Sequence, residues 1–415
     1  MENLMDRKKM NGFDRRWMWS LFGTAVGAGI LFLPIRAGTG GFWPIIIMCC
    51  LIFPMTWLSH RALARFVNSS SKPGQDITKV VEEHFGFKWG YVVTILYFFA
   101  IYPICLAYGV GITNTVDSFI VNQLGFAQID RFILAFVLVS MMMAVMILSE
   151  EIVTKICASL VYPLCFILFG FSLYLIPEWK FTAISNVPTF KDFVVVIWLT
   201  LPVLVFAFNH SPAVSTFALS VEKEYGDEKN FKTNQIEFHT SAALLSFVML
   251  FVFSCIMCLD ADDFEAARAA NIPVLSYFAN KFENPIISYA GPAVAFLAIL
   301  TSFFGHYYGA REGLNGIIRK TTKKDGVQTL SNNTINTITT IFLYSTIVIV
   351  GYLNPSILGF IEDLGGPIIA AILFLMPIIA FYKVPALAKF RNKATDIFVF
   401  VMGSLTILSV IVKMI

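Results

Sequence analysis

Asn209, His210 and Ser211 stand in a row inside a stretch with no charged residue from 193 to 221, with Pro212 directly behind them. Together an amide, an imidazole and a hydroxyl can donate to and accept from a small polar ligand, and the imidazole can also hold a proton near neutral pH. Well upstream, Gly23-Thr24-Ala25-Val26-Gly27-Ala28-Gly29 occupies the middle of a second uncharged stretch, 17–35, bounded by Arg16 and Arg36. Three glycines hold a helix poorly, and Pro212 lacks a backbone donor and disfavours helix at Ser211. Each place therefore frees backbone N–H and C=O groups where a bilayer supplies no water. That is tolerable where the freed groups line a cavity and bind something. Intramembrane polar residues are candidates for function by default, the alternative being a proline kink with hydrogen-bonded polar neighbours.

Helices of bilayer length must hold these residues at mid-depth. Hydrophobic residues make up 57% of the 415-residue chain against 14% charged ones, and the mean hydropathy is +0.74. Long uncharged segments recur from end to end, so the chain reads as a polytopic membrane protein rather than a soluble globule. The net charge of +3 says little by itself, and no nucleic-acid partner or cofactor is expected. Apolar segments bounded by charges predict eleven helices, at 16–36, 41–66, 89–120, 130–149, 152–176, 192–220, 237–259, 284–318, 334–352, 365–382 and 395–413. The first reads as a retained anchor rather than a cleaved signal. The seven cysteines lie almost entirely in apolar segments, and Cys255-x-x-Cys258 has no Cys/His partner pair, so they read as small apolar fillers.

Charge sets the sidedness. Of the 30 Lys and Arg residues, 23 fall on the tail and loops of the N-terminal side and 7 on the other. This predicts a cytoplasmic N-terminus and, with an odd number of spans, a C-terminus outside. Segment 77–85 is amphipathic and is expected along the inner membrane surface. Segment 264–281 is external and helix-prone up to Pro273, and is a candidate lid over an outer vestibule, the alternative being a solvated loop.

The breaks in spans one and six are five helices apart. That spacing arises from two five-helix halves of inverted orientation, each led by a discontinuous helix. The expected architecture is an all-α transporter of the LeuT type in one membrane domain, with repeats at 16–176 and 192–382 and an additional helix at 395–413.

At these residues the chain resembles the hydroxy and aromatic amino acid permease family of bacteria, most closely its serine/threonine branch. The resemblance covers nearly the whole chain. It rests on Gly23-Thr24-Ala25-Val26-Gly27-Ala28-Gly29-Ile30-Leu31-Phe32-Leu33-Pro34, Val80-Val81-Glu82-Glu83-His84-Phe85-Gly86 and Leu96-Tyr97-Phe98-Phe99-Ala100-Ile101-Tyr102-Pro103. It continues in Phe208-Asn209-His210-Ser211-Pro212, Gly305-His306-Tyr307-Tyr308-Gly309-Ala310-Arg311-Glu312-Gly313 and Asn354-Pro355-Ser356-Ile357-Leu358-Gly359. It implies an inner-membrane importer of the amino acid–polyamine–organocation architecture that carries a small amino acid with a driving cation. One departure matters: the serine branch commonly carries a lysine where this chain has Thr301, which leaves the coupling ion open between proton and sodium.

An amino acid zwitterion must exchange water for donors to its carboxylate and acceptors to its ammonium. The half-helix beginning near Gly27 points free N–H groups and a positive dipole end into the break, so the amides of Gly27, Ala28 and Gly29 are assigned to the carboxylate. Carbonyls near Ala25 and those of Phe206, Phe208 and Asn209 are assigned to the ammonium, since no carboxylate side chain is expected near either break. Asn209, His210 or Ser211 would bond a substrate hydroxyl. Tyr102 would close the pocket, as the family resemblance implies; its alternative is an ordinary packed aromatic. For sodium, the hydroxyls of Thr301 and Ser302 join carbonyls of Gly23 and Val26; the alternative is hydroxyls bonded back to their own helix. For a proton, His210 is the coupling group. His306, Arg311 and Glu312 are inner-gate candidates, and His60, His84 and His239 read as structural. Symport of serine or threonine leads, ahead of exchange by the same fold and of a non-transporting amino acid sensor. No intramembrane enzyme motif appears, so the chain is not expected to be an enzyme.

Overall fold

A computed structural model describes residues 9–414 apart from 73, 149, 186, 325 and 326. The first span is broken where the glycines predict: helices Gly12–Ala25 and Ala28–Gly38 meet at 56°. Span six is broken too, into Phe190–Ala207 and Ser211–Tyr225, with Pro212 in the first turn of the second piece, where its missing N–H costs nothing. The other spans are Phe42–Val67, Phe87–Ser118, Arg131–Val145, Glu150–Tyr174, Lys229–Cys258, Pro285–Thr322 and Asn332–Leu353, then Ile357–Lys383 with two π-helical turns, and Lys393–Met414. Among the described residues nine helices are long and apolar enough to cross a bilayer, ten with the bent first pair. Arg131–Val145 is apolar but has 15 residues, about 22 Å of helix, so the expected fourth span is short.

Two boundaries shift for one physical reason. Span seven begins at Lys229, not 237, and span ten at Ile357, not 365. Charges ended both segments in the sequence, but a charge can stay inside a helix bundle when it is paired. Lys232 is buried on Asp14 of the first span, 2.9 Å away, and Glu362 is buried among three cations.

Helices pack in pairs that mirror their order. The second half of span one lies on the first half of span six, span two on seven, three on eight and four on nine. Asp14, near the start of span one, also accepts from the Tyr225 hydroxyl at 2.6 Å. At the other end of that span Arg36 meets Glu362, which also takes Lys413 from the end of span eleven. The start of the first span and the end of the last therefore lie at opposite ends of the bundle.

Segment 77–85 is helical, Ile77–Phe85, with Asp76 capping it. The candidate lid segment forms two helices, Ala261–Ala269 and Val274–Lys281. The second half is therefore helical as well, because Pro273 caps the second helix instead of ending the structure. Phe264 fills the space beside Gly38, at the C-terminal end of span one: a Cβ there would stand 2.3 Å from the phenyl ring. Arg268 reaches Glu362 at 3.7 Å. These two helices are a docked cap, not a solvated loop. Cys255 and Cys258 are buried free thiols, and the Cys157 side chain lies outside the described residues.

Candidate substrate and ion site

The break in span one is two residues, Val26 and Gly27, both in extended backbone. The Val26 amide still bonds Phe22 O, and Ile30 N–H closes onto Gly27 O at 3.1 Å. Between them the amides of Gly27, Ala28 and Gly29 have no backbone acceptor and no side-chain cap. They are three orphan donors at the start of an 11-residue helix, the arrangement that receives an anion.

Span six comes to the same place from the opposite direction. A Cβ on Gly29 would stand 2.6 Å from the Phe206 ring and 2.8 Å from Ala207 Cα, so glycine is what lets the two half-helices touch. Phe206, Ala207, Phe208 and Asn209 are all buried. Asn209 Oδ1 accepts from the Ser211 amide at 3.1 Å, while its Nδ2 is buried without a partner. Of the carbonyls assigned to the ammonium, Phe206 O already accepts from Asn209 N–H and Phe208 O from the His210 ring; each keeps a second lone pair.

Span eight closes the third side. A Cβ on Gly27 would be 2.3 Å from Ser302 Oγ and 3.0 Å from the Tyr108 hydroxyl. Those two hydroxyls bond each other at 2.6 Å, fully enclosed. His306 joins them: its Nδ1 lies 2.8 Å from Ser302 O, and its ring meets Tyr108 edge-on at 5.5 Å.

His210 turns the other way. Its Nε2 is 2.8 Å from Glu237 Oε2 of span seven, and its ring stacks on His60 of span two at 3.5 Å. All three residues are buried, at 0–1% exposure.

A family model described as the tryptophan/tyrosine permease family matches residues 18–415. The chain belongs to that family. The permease is 48% identical over 400 residues to the serine transporter SdaC of Escherichia coli K12, covering 95% of this chain and 93% of that one; the match to SdaC of Shigella flexneri has the same extent. These relatives are transporters, not enzymes. In fold it is similar to a mutant manganese transporter of Eremococcus coleocola, with TM-score 0.64, 12% identity and 95% of this chain covered against 85% of that one. The permease is thus a multi-pass helical membrane protein of a transporter family.

Against that fold the remaining candidates sort clearly. Ala25, Val26, Gly27, Ala28, Gly29 and Ser302 converge on one break, and Phe206, Phe208, Asn209 and Ser211 form the other. Gly23 packs against Val161 of span five. Thr301 donates back to Leu297 O and Ala298 O, at 2.9 and 3.2 Å. Tyr102 stacks on Phe98 and leans on Phe342 of span nine; it is Tyr108 that reaches the glycine break. His306 belongs to the Tyr108–Ser302 group, while Arg311 lies over the Tyr308 ring and Glu312 is exposed. Glu237 corrects the expectation that no carboxylate lies near a break. The sequence placed it at a span end, but the helix starts eight residues earlier and carries it inside.

The permease also has a cleft of about 350 Å³ between spans ten and eleven, lined by Ile378, Ile397, Phe400 and Val401 with Lys383 and Asp396 beside them. That wall is apolar and far from both breaks in the chain, and it offers a zwitterion no array of orphan amides.

Proposed function

We propose that the permease is a secondary active importer of a small hydroxy amino acid, serine first and threonine next. It would work in a bacterial inner membrane with its N-terminus in the cytoplasm. The single observation that carries this reading is the approach of Gly29 to Phe206 and Ala207, which sets the orphan amides of 27–29 against the polar turn at Asn209. The amides take the carboxylate, carbonyls across the two breaks take the ammonium, and Asn209 Nδ2, buried without a partner, takes the hydroxyl. A site that must hydrogen-bond a hydroxyl discriminates against analogues lacking it. The 48% identity to serine transporters supports the substrate class.

The mirrored packing of spans one on six, two on seven, three on eight and four on nine supports two inverted five-helix repeats around the site. Both ends of the bundle carry polar staples: Asp14 with Lys232 and Tyr225 at one, Glu362 with Arg36, Arg268 and Lys413 at the other. Opening one while the other holds gives alternating access. Import is driven by a co-transported cation, proton or sodium, with the membrane potential supplying about 2.3 kcal/mol per charge per 100 mV.

The test is uptake of labelled serine into proteoliposomes under separately imposed proton and sodium gradients. Accumulation above the external concentration under one of them is expected. Equilibration without accumulation under both gradients would leave a facilitator or exchanger instead.

A further inference from the structure

Inside the bundle, away from the orphan amides, His60, His210 and Glu237 make a closed polar group whose hydrogen bonds require one proton more than two neutral imidazoles and an ionised carboxylate supply. His60 Nδ1 lies 2.8 Å from Thr56 O. A carbonyl can only accept, so Nδ1 carries the hydrogen. The backbone N–H of His210 donates to His60 Nε2 at 3.1 Å, so that nitrogen is a bare lone pair. His60 is held neutral, as one tautomer.

The same reasoning applied to His210 gives a different result. Its Nδ1 faces Phe208 O at 3.3 Å and therefore carries a hydrogen. Its Nε2 faces Glu237 Oε2 at 2.8 Å. With the imidazole neutral and the carboxylate ionised, two lone pairs would meet at that distance. One proton must sit between them, as imidazolium with carboxylate or as imidazole with carboxylic acid. Removing it leaves a buried, uncompensated negative charge, a costly state in this surrounding.

Several described charged groups on neighbouring elements are engaged elsewhere, and Arg65 of span two lies over the Phe390 ring. Arg61 of span two donates to Asn234, Asp14 of span one pairs with Lys232, Glu222 of span six pairs with Lys229, and Arg36 pairs with Glu362. Glu237 Oε1 and the Ser241 hydroxyl one turn along span seven are buried without partners. The group is joined to the substrate break through the chain itself, since Phe208 O holds the His210 ring and Asn209 separates the two.

We propose that the His210–Glu237 pair, oriented by His60, is the binding site of the coupling proton, so that the driving ion is carried between spans six and seven and not at Thr301. This rests on the importer reading above. One proton is taken from the outer solution onto the pair, forming an O–H or N–H bond. The same bond breaks when span six moves and water reaches the pair from inside, releasing one proton with each substrate.

The experiment uses the full chain in proteoliposomes with labelled serine. A one-unit inward pH gradient is expected to give the wild type about tenfold accumulation per proton and external alkalinisation when serine is added. Glu237→Gln keeps a donor toward His210 Nε2 but has no proton to give up. Serine counterflow is expected to persist while accumulation falls to about onefold. Accumulation by Glu237→Gln equal to wild type would overturn the proposal. So would wild-type accumulation driven by sodium with no serine-evoked pH change, whatever the variant does. Absence of counterflow in the wild type with any amino acid would instead defeat the importer reading itself.

Discussion

Glu237 of span seven and His210 of span six meet at 2.8 Å with both side chains fully enclosed. This contact lies beside the polar turn of a broken helix, and the helix end leading into that turn, Phe206 and Ala207, packs on Gly29 of span one. The carboxyl–imidazole pair thus stands on the turn 208–210 that interrupts span six. Movement of span six changes the pair and the contact with Gly29 at once, which is the physical requirement for coupling two ligands.

Tyr108 and Ser302 are expected to act as a unit behind Gly27. Tyr108→Phe and Ser302→Ala each leave the other hydroxyl of an enclosed pair without its partner, which costs about 1–3 kcal/mol, so serine uptake at limiting substrate should fall roughly 5- to 150-fold in either. The double variant should be no worse than the more affected single one. Additive losses in the double-mutant cycle would show that the two hydroxyls act separately.

The staple at Glu362 should govern access from its end of the bundle. Glu362→Gln leaves Arg36, Arg268 and Lys413 without their shared carboxylate, a change of the kind that destabilises by about 3–5 kcal/mol when the partners are buried; solvent at Arg268 and Lys413 lowers that figure. In a background lacking native cysteines, a thiol placed at Phe264 should react faster with a membrane-impermeant reagent when Glu362 is glutamine. Equal labelling rates would mean that the cap is held by packing against Gly38 alone.

The cap has its own pH limit. Burial alone would raise the Asp263 carboxyl, but bonds from Lys281, the Asp260 amide and Tyr277 outweigh it and hold the group below its ordinary value of 3.8. A depressed carboxyl stabilises the folded form above its unfolded value and loses that contribution as pH falls through the lowered one. The protection of the amides of Ala261–Ala269 and Val274–Lys281 from hydrogen exchange, relative to the intrinsic rate at each pH, should therefore be flat from neutral pH down to about 4 and fall below it. Loss of protection already near pH 6 would point to a different titrating group.

Thr301→Ala should leave ion dependence unchanged. The Thr301 hydroxyl donates to Leu297 O and Ala298 O on its own helix, and its loss is expected to cost little. A shift in proton or sodium dependence of uptake in this variant would restore Thr301 as an ion ligand.

The helix breaks were legible because glycine clusters and X-Pro steps act locally: the chain parts at Val26–Gly27 and at 208–210, where those residues stand. The amphipathic helix Ile77–Phe85 was legible for the same reason, its pattern lying within one element. Glu237 and Glu362 were not. Each is tolerated inside the bundle by partners far along the chain, His210 for one and Arg36 and Lys413 for the other, so charge by itself misplaced both span starts. Tyr108 was missed in favour of Tyr102 because, on a helix with aromatic and apolar residues all round, the face turned toward span eight depends on tertiary packing. His60 looked like a span-end histidine for similar reasons. Its burial comes from the polar turn of span six, whose His210 ring stacks on it at 3.5 Å.

Binding of labelled serine to the purified protein checks whether substrate lies between the two breaks. Gly29→Leu drives a side chain into Phe206 and the Ala207 backbone, and Asn209→Ala removes the unpartnered Nδ2 donor. With thermal stability showing that each variant is folded, both are expected to lose saturable serine binding that the wild type retains. Wild-type affinity in both folded variants would contradict the account and place the substrate elsewhere in the bundle.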